Sequence, residues 1–328
     1  SCVRFAFCKA KGWLWTTSIQ DVAQKAGVSI STVSRSFTRP DLVSTKTRER
    51  VLAIADELNF SLSRSAAALK SGRSLRIAVL TSGHIRLWFT ASVIEGLNEV
   101  LHAAGYDISV FQISSIEERR EFFEMLPVRR NADAVIVVSF DIDNNEITQL
   151  ASADVPIIGI NTPSSESFDA TISIDDEKGM YTAAQHLINL GHKHIVYPCS
   201  EAAGLDSSID ARAQGFINAC KDAEGKHDIN WEVLSVPRGP AFADSALSAL
   251  LAMDEFPDAI CCQMDMMAIP LVLKLERYGH RTPRDYSIVG FDDSPYADTI
   301  NLTTMRQDPY AMGRAAANKA LTLISGKT

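Results

Sequence analysis

The chain has 328 residues, of which 46% are hydrophobic and 22% are charged, a composition typical of a globular protein with about two domains. No uninterrupted apolar run approaches the roughly 18 residues that a membrane-spanning helix requires, so we expect no membrane partner. The six cysteines have no CxxC spacing, which argues against a zinc module or a disulfide framework and favours the reducing cytoplasm.

The net charge of −8 is unevenly distributed along the chain. Up to Arg76 there are 13 Lys and Arg against 5 Asp and Glu, a net of +8, whereas the remainder has 19 against 35, a net of −16. A basic N-terminal head followed by an acidic body predicts a nucleic-acid contact that is confined to the head. A basic tail without a partner is the alternative on charge alone.

Residues 1–16 carry basic residues among aromatic ones, and no small-residue cleavage site follows them, so we predict no signal peptide. We interpret this stretch as an extension outside the domains or as an artefact of the assigned start.

Three short helices are predicted after this extension. Ser18 and Asp21 form a capping box before the first helix, and Gly27 supplies the left-handed residue that ends it. Ser29 is the expected N-cap of a second helix, and Ser44 of a third whose apolar residues recur at helical spacing. Two short helices around a glycine turn, with a third helix packed against them, are typical of a helix-turn-helix domain.

From residue 76 onward the pattern changes to alternating strands and helices. The strand candidates are residues 76–80, 106–112, 134–139, 155–161, 171–174, 195–197, 259–262 and 287–291. About nine strands in repeated βα units predict an α/β body with parallel sheets covered on both faces, in two lobes rather than one.

The common catalytic motifs are missing from the sequence. There is no G-x-G-x-x-G, no phosphate-binding G-x-x-x-x-G-K and no G-x-S-x-G, so we expect neither an enzyme nor a cofactor. The cluster of His186, His192 and His194 lacks a carboxylate or cysteine to complete a metal site. Residues 141–146 resemble a calcium loop but lack its glycine. We therefore expect no metal.

Residues 18–35 read SIQDVAQKAGVSISTVSR and closely resemble the headpiece of the lactose-repressor (LacI/GalR) family, and residues 43–51 and 57–60 continue the pattern. The resemblance extends over the rest of the chain. It implies a DNA-binding transcriptional regulator, in most cases a repressor, with a two-lobed core like the periplasmic binding proteins. The expected partners are a pseudo-palindromic double-stranded operator, a small effector and a second copy of the chain, with tetramers left open.

The resemblance also implies a domain organisation. An extension at residues 1–16 precedes a helix-turn-helix headpiece at 17–62, a hinge helix and linker at 63–74, and an effector-binding and dimerisation core at 75–328. The chain ends short of the tail that is usual in the family, so part of the core is expected to be absent.

The second helix of the headpiece is the candidate reading element. Short side chains such as Ser31 let a helix enter the major groove, Ile30 can contact a thymine methyl, and Arg35 can bond a guanine through two hydrogen bonds. Hydroxyls suited to phosphate oxygens are carried by Thr32, Ser34, Ser44 and Thr47. A helix cap remains the alternative for Ser44, and a solvated surface arginine for Arg35.

Residues 63–71 lie where the family places its hinge helix. This segment is too short to be stable alone, because isolated helices need about 12–15 residues. Leu69 is the candidate wedge for a minor-groove base step, and Arg64 and Lys70 are candidate phosphate contacts. Phe60 begins a segment, FSLS, that replaces the Tyr-x-Pro-Asn of the family. An inert linker is the alternative.

The effector candidates lie in the core. Arg212 belongs to an R-x-x-G-F motif, and Asn161 and Asp292 end strands at the edge where open α/β sheets expose ligand groups. The aromatic candidates for stacking on a ring are Trp88, Phe89 and Phe242. The alternatives are an ion pair for Arg212, turn capping for Asn161 and Asp292, and core packing for the aromatic residues.

The effector itself is expected to be a sugar or a related polar metabolite. Met264 stands before Asp265 where the family has an Asn-Asp pair, and the loss of that amide argues against an ordinary hexose. The alternative function is that of a small-molecule-binding protein without regulated DNA binding.

Overall fold

The computed structural model describes residues 17–60, 73–82, 84–113, 115–125, 131–139, 142–152, 154–162, 168–200, 207–237 and 241–326. The predicted hinge helix, with Arg64, Leu69 and Lys70, and the extension at 1–16 lie outside these residues. The chain divides into two compact units, Ser1–Ser74 and Leu75–Thr328. None of the described helices is long and apolar enough to cross a membrane.

The first unit is a three-helix domain. Its helices are α1 (Ile19–Ala26), α2 (Ile30–Thr38) and α3 (Thr45–Glu57). Ser18 and Asp21 form the capping box at the start of α1, and Gly27 ends it with a φ of 62°. Each helix contributes one apolar face to a shared core of Val22, Ala23, Ala26, Val33, Val51 and Ala55. The outer faces of the helices carry mostly polar side chains, with Ile30 of α2 an exposed apolar exception.

The second unit alternates strands and helices. Its described helices are α4 (Trp88–Ala103), α5 (Ile116–Met125), α6 (Asn144–Ala151), α7 (Asp176–Asn189), α8 (Ser207–Ala223), α9 (Phe242–Leu251), α10 (Asp265–Arg277) and α11 (Pro309–Ile324). Its described strands are β1 (Arg76–Thr81), β2 (Asp107–Gln112), β3 (Ala134–Val138), β4 (Ile157–Ile160), β5 (Ala170–Ile172), β6 (His194–Ser200), β7 (Asn230–Val236), β8 (Ala259–Cys261), β9 (Ser287–Asp292) and β10 (Thr303–Arg306).

The strands form two parallel sheets of five, in the orders β2-β1-β3-β4-β5 and β10-β9-β8-β6-β7. Apolar side chains cover both faces of each sheet, giving separate cores on the two sides. The prediction of two α/β lobes is confirmed. Each of the eight strand candidates overlaps a described strand, whereas the edge strands β7 and β10 were not predicted, because they carry no continuous apolar run.

The described chain passes between the sheets twice. It leaves the first sheet after β5, at residues 173–175, and α7 then packs in the core of the second sheet. It returns after β10, at residues 307–308, because α11 packs with α4 on the first sheet. Both crossings follow the carboxyl ends of strands, which is the edge where α/β sheets hold ligands.

Two glycines allow the helices α4 and α11 to lie against each other. A Cβ placed on Gly96 would collide with the carbonyl oxygen of Tyr310, and one on Gly313 would collide with that of Val93. The absence of a side chain at each position therefore fixes the separation of these two helices.

We expect Gly96→Ala to destabilise the second unit by about 1–3 kcal/mol through overpacking, although alanine favours helix formation. The measurement is urea-induced unfolding of the purified protein. Asn98→Ala, on the exposed side of α4, is the matched control and should leave the stability equal or slightly higher. An unfolding midpoint for Gly96→Ala at or above that of the wild type would show that α4 and α11 can separate without loss.

Candidate functional site

Helix α2 has one face fixed in the core and one face exposed. Val33 is fully buried, and the Ser36 hydroxyl donates to the carbonyl oxygen of Thr32 at 2.8 Å. Ile30 is 47% exposed, and Ser31 and Arg35 are exposed on the same outer face. The helix therefore presents an apolar side chain, a short hydroxyl and a guanidinium to solvent.

Hydroxyl groups also cap the helices of this unit. The Ser29 Oγ accepts from the Thr32 backbone N–H at 3.2 Å and lies 2.9 Å from the Thr32 hydroxyl. The Ser44 Oγ accepts from the Thr47 N–H at 3.3 Å and lies 2.8 Å from the Thr47 hydroxyl. The capping alternative for Ser44 is thus present, and the phosphate contacts of Thr32, Ser34, Ser44 and Thr47 stay predictions.

Apart from Arg35, five exposed basic residues of the described headpiece are absent from the residue-level prediction. They are Lys25, Arg39, Lys46, Arg48 and Arg50. Lys25 pairs with Glu57 at 2.6 Å, and the Arg48 Nε donates to the Ser36 carbonyl oxygen at 3.3 Å. The net positive charge of the segment predicts exposed cations in it, but the spacing of these basic residues in the sequence does not assign a role to any one of them.

A polar cavity of about 580 Å³ opens beside the first crossing between the sheets. Its described lining consists of Asn161, Thr162, Ser173, Ile174, Asp175, Asp176, Glu177, Ser208 and Ala211. These residues come from the end of β4, the crossing segment, the first turn of α7 and the start of α8. The cavity wall therefore contains elements that belong to both sheets.

Asn161 links three of these elements. Its backbone has a φ of 50°, a conformation that asparagine tolerates better than most residues. Its Oδ1 accepts from the Ile174 N–H at 3.3 Å, and its Nδ2 donates to the Ser208 Oγ at 3.4 Å. Asn161 thus connects the end of β4 to the crossing and to α8, besides facing the cavity.

Arg212 lies behind the cavity wall and is only 5% exposed. Its Nε donates to Asp176 Oδ1 at 2.7 Å, and its Nη1 donates to the Gln263 carbonyl oxygen at 2.9 Å. The Nη1 also lies 3.6 Å from Asp292 Oδ1, and the guanidinium stacks 3.8 Å from the centre of the Phe291 ring. The ion-pair alternative is therefore present, and its acid, Asp176, had not been predicted.

Asp292 ends β9 in a buried position and accepts from Gln307 Nε2 at 2.6 Å. Burial raises its pKa to about 7, with a smaller contribution from the nearby Asp265, while Arg212 and Gln307 oppose this shift. Asp265 is fully buried and accepts from the Ser294 N–H at 2.8 Å and the Thr304 hydroxyl at 2.7 Å. Burial raises the pKa of Asp265 too.

The aromatic candidates are not brought together in the described cavity wall. Phe89 packs against the core of the first sheet, and Phe242 packs against the core of the second. Trp88 is half-buried in the first turn of α4. Stacking of these rings on an effector stays a prediction.

The raised pKa of Asp292 makes folding stability depend on pH. Between 3.8 and about 7 the folded state holds a proton that the unfolded chain has released, so the contribution of this group to stability falls as pH rises and levels off above about 7. Asp292→Asn removes the titrating group. We therefore expect the difference in unfolding free energy between the variant and the wild type to shift in favour of the variant as pH rises from mildly acidic to mildly alkaline. Urea unfolding across this range measures the difference. The adjacent exposed Asp293 gives the control, Asp293→Asn, and equal pH profiles for the two variants would contradict the assignment.

Two family models match the chain. The model for bacterial regulatory proteins of the lacI family matches residues 18–63, and the periplasmic binding protein-like domain matches residues 184–328. Among solved structures, the Lac repressor dimer bound to operator and the anti-inducer ONPF has a TM-score of 0.82 at 24% identity, covering 95% of this chain and 94% of that one. A complex of the regulator CelR with cellobiose has a TM-score of 0.65 at 25% identity, with the same coverage.

Curated relatives match over nearly the full length. The HTH-type transcriptional repressor PurR of Photobacterium profundum is 30% identical over 317 residues, covering 94% of this chain and 92% of the relative. The PurR of Haemophilus influenzae (strain PittEE) is 30% identical over 318 residues, with the same coverage. The chain therefore belongs to the lacI family of bacterial regulatory proteins and is a DNA-binding transcriptional regulator.

Proposed function

We propose that this protein is a repressor that binds a pseudo-palindromic operator as a homodimer and responds to a small polar effector of the carbohydrate class. The observation that carries the proposal is the outer face of α2, where Ile30, Ser31 and Arg35 are exposed on a helix fixed by Val33 and Ser36. The effector enters the cavity lined by Asn161 and its neighbours.

In this proposal α2 lies in the major groove. Ile30 contacts a thymine methyl, Arg35 forms two hydrogen bonds to a guanine, and Ser31 leaves room for the backbone to approach the base edges. The hydroxyls of Thr32, Ser34, Ser44 and Thr47 contact phosphates and set the position of the helix. The wedge assigned to Leu69 and the phosphate contacts of Arg64 and Lys70 belong to the proposal on sequence grounds, because these residues lie outside the described part of the chain.

The homodimer is supported by an apolar strip on α10. Met266 is 43% exposed and Leu273 is 50% exposed, and the half-buried Ile269 and Pro270 lie between them. A second copy related by a two-fold axis would cover this strip, and such a dimer carries two copies of α2 for the two half-sites of a palindrome. The tetramer remains open in the proposal.

The effector response follows from the composition of the cavity wall. Asn161 belongs to the first sheet, while Ser208 and Asp176 belong to helices of the second. A ligand that contacts both sides binds one arrangement of the two sheets more tightly than the other. It can change the operator affinity by no more than the ratio of its own affinities for the two arrangements. DNA must weaken or strengthen effector binding by the same factor. The cellobiose complex of the similar regulator CelR supports an effector of the carbohydrate class.

We expect Arg35→Ala to cost about 1–3 kcal/mol of operator binding and to relax the preference at one base pair per half-site. Fluorescence anisotropy with an operator and its single-base variants measures both effects. Lys46→Ala is the control, since loss of a phosphate contact should weaken binding to all duplexes alike and lower the salt dependence. If Arg35→Ala weakens operator and random DNA equally, Arg35 contacts the backbone rather than a base.

We expect Arg212→Lys and Ser208→Ala to weaken the effector response at least about tenfold while operator affinity without effector stays within about twofold. Lysine keeps the charge but loses the planar fork, whereas Arg212→Ala would leave two buried carboxylates without a counter-charge and risks unfolding. The effector is first found by thermal shift with mono- and disaccharides, beginning with cellobiose, and is then titrated against the operator complex. Ser248→Ala, an exposed serine of α9, is the control. A wild-type titration in both test variants would remove this cavity from the proposal.

A further inference from the structure

The chain enters the second unit through a residue with a strained backbone. Leu75 is the first residue of that unit, and its φ is 54°. Eight residues other than glycine have a positive φ in the part of the chain that the structure describes, and the seven besides Leu75 are asparagine, aspartate or serine. Asparagine and aspartate tolerate the left-handed region because their short side chains can hydrogen-bond locally, whereas a bulky apolar residue there is an outlier.

Two neighbouring strands hold Leu75 in this conformation. Its N–H donates to Asp133 Oδ2 at 2.9 Å, and its carbonyl oxygen accepts from the Asp107 N–H at 2.9 Å. The Asp133 N–H donates in turn to the carbonyl oxygen of Arg76 at 2.8 Å. Asp107 begins β2, Asp133 immediately precedes β3, and β1 lies between these two strands. Leu75 is therefore fixed from both sides of the strand that it precedes.

The sheet itself does not require this strain. A parallel strand can begin with a residue in the extended region, and the Leu75 side chain is only half-buried against the core of the first sheet. The left-handed residue does change the direction of the chain, because it turns Ser74 out of the line of β1. Strained residues cluster at switch regions, and residues at the ends of elements are the usual hinges.

We propose that Leu75 is a conformational switch at the entry to the second unit, with the left-handed form held by Asp133 as one state and an extended form as the other. The two states send the preceding chain, which leads to the headpiece, in different directions. The strain brings the two states close in free energy, so a partner that binds one of them better can shift the balance. This inference goes beyond the proposed function, since it needs DNA binding by the chain but no particular effector.

Two substitutions at position 75 separate strain from packing. Leu75→Gly and Leu75→Ala both remove the leucine contacts with the sheet core, but only glycine also removes the strain. In an ordinary strand glycine is the less stable of the two. We expect the reverse here, with a higher urea midpoint for Leu75→Gly than for Leu75→Ala. A lower midpoint for the glycine variant would show that residue 75 is not held in the left-handed form, and it would overturn the proposal.

Operator affinity tests the switch itself. Leu75→Val keeps an apolar side chain but disfavours the left-handed form further, because valine is β-branched. We expect Leu75→Gly and Leu75→Val to differ about five- to thirtyfold in affinity for a duplex that the full chain selects from a random-sequence library, with the wild type and Leu75→Ala between them. Leu75→Asn, close to valine in size, should lie with glycine, so that affinity follows the left-handed preference and not the volume. Fluorescence anisotropy measures the series.

Asp133→Ala tests the same switch from its partner. It removes the acceptor of the Leu75 N–H and leaves residue 75 unchanged. We expect operator affinity to shift in the same direction as in Leu75→Val, and hydrogen exchange over residues 73–77 to become faster. Asp254→Ala, at an exposed acid of the second unit, is the matched control and should change neither quantity.

Ser74→Gly distinguishes conformation from chain freedom. It adds a glycine one residue earlier and keeps Leu75, so operator affinity should stay within about twofold of the wild type. An equal shift for Ser74→Gly and Leu75→Gly would mean that chain freedom alone sets the affinity, and the switch would be abandoned. Equal affinities for the glycine, asparagine and valine variants would also overturn it. The Arg35→Ala experiment is independent of both results, so a failed switch is distinguishable from a failed assignment of DNA reading.

Discussion

The buried guanidinium of Arg212 is the interaction on which the arrangement of the second unit depends. Asp176, which it binds, opens α7 directly after the first crossing between the sheets. Asp292, its other acidic neighbour, holds Gln307 at the second crossing. One side chain therefore connects both passages of the described chain between the sheets. Removing one member of such a buried pair commonly costs about 3–5 kcal/mol, because the remaining charge has no partner.

In the proposed function, this position connects the ion cluster to the effector cavity. The carboxylate of Asp176 faces the cavity on one side and Arg212 on the other, so a ligand that draws on Asp176 changes the charge balance felt at Asp292. The helix pair α4 and α11 is held in close contact at Gly96 and Gly313, and such packed pairs resist gradual deformation. The crossings are then the segments where a change in the ion cluster can alter the relation of the two sheets.

The sequence predicts well those features whose signals are local. The capping box of Ser18 and Asp21 and the left-handed Gly27 lie within ten residues of one another, and the headpiece forms as they indicate. The central strands are continuous apolar runs and were found for that reason. The edge strands β7 and β10 face solvent on part of their surface, so their residues carry no pattern that separates them from loops.

In the candidate site too, the residues with a local sequence signal were predicted and their distant partners were not. Arg212, Asn161 and Asp292 were singled out because each stands in a local motif or at a strand end. Their partners were not, because Asp176 lies 36 positions from Arg212 and Gln307 lies 15 from Asp292, and no spacing rule relates such pairs. At Met264 and Asp265, the prediction from the sequence concerned the amide of the family's Asn-Asp pair, which Met264 replaces. The structure instead assigns Asp265 a buried carboxylate role, accepting from Ser294 and Thr304.

The N-terminal part of the chain and the remainder carry net charges of opposite sign, which favour different binding partners. Up to Arg76 the chain carries a net charge of +8, which favours contact with phosphates wherever the headpiece meets DNA. The rest carries −16, so it repels the same phosphates and disfavours DNA contact outside the N-terminal part. That acidic field also raises the local concentration of small cations and lowers that of anions, most of all in a cleft lined by carboxylates. Salt would weaken operator binding by the headpiece, because it screens the attraction between the basic N-terminal part and the phosphates.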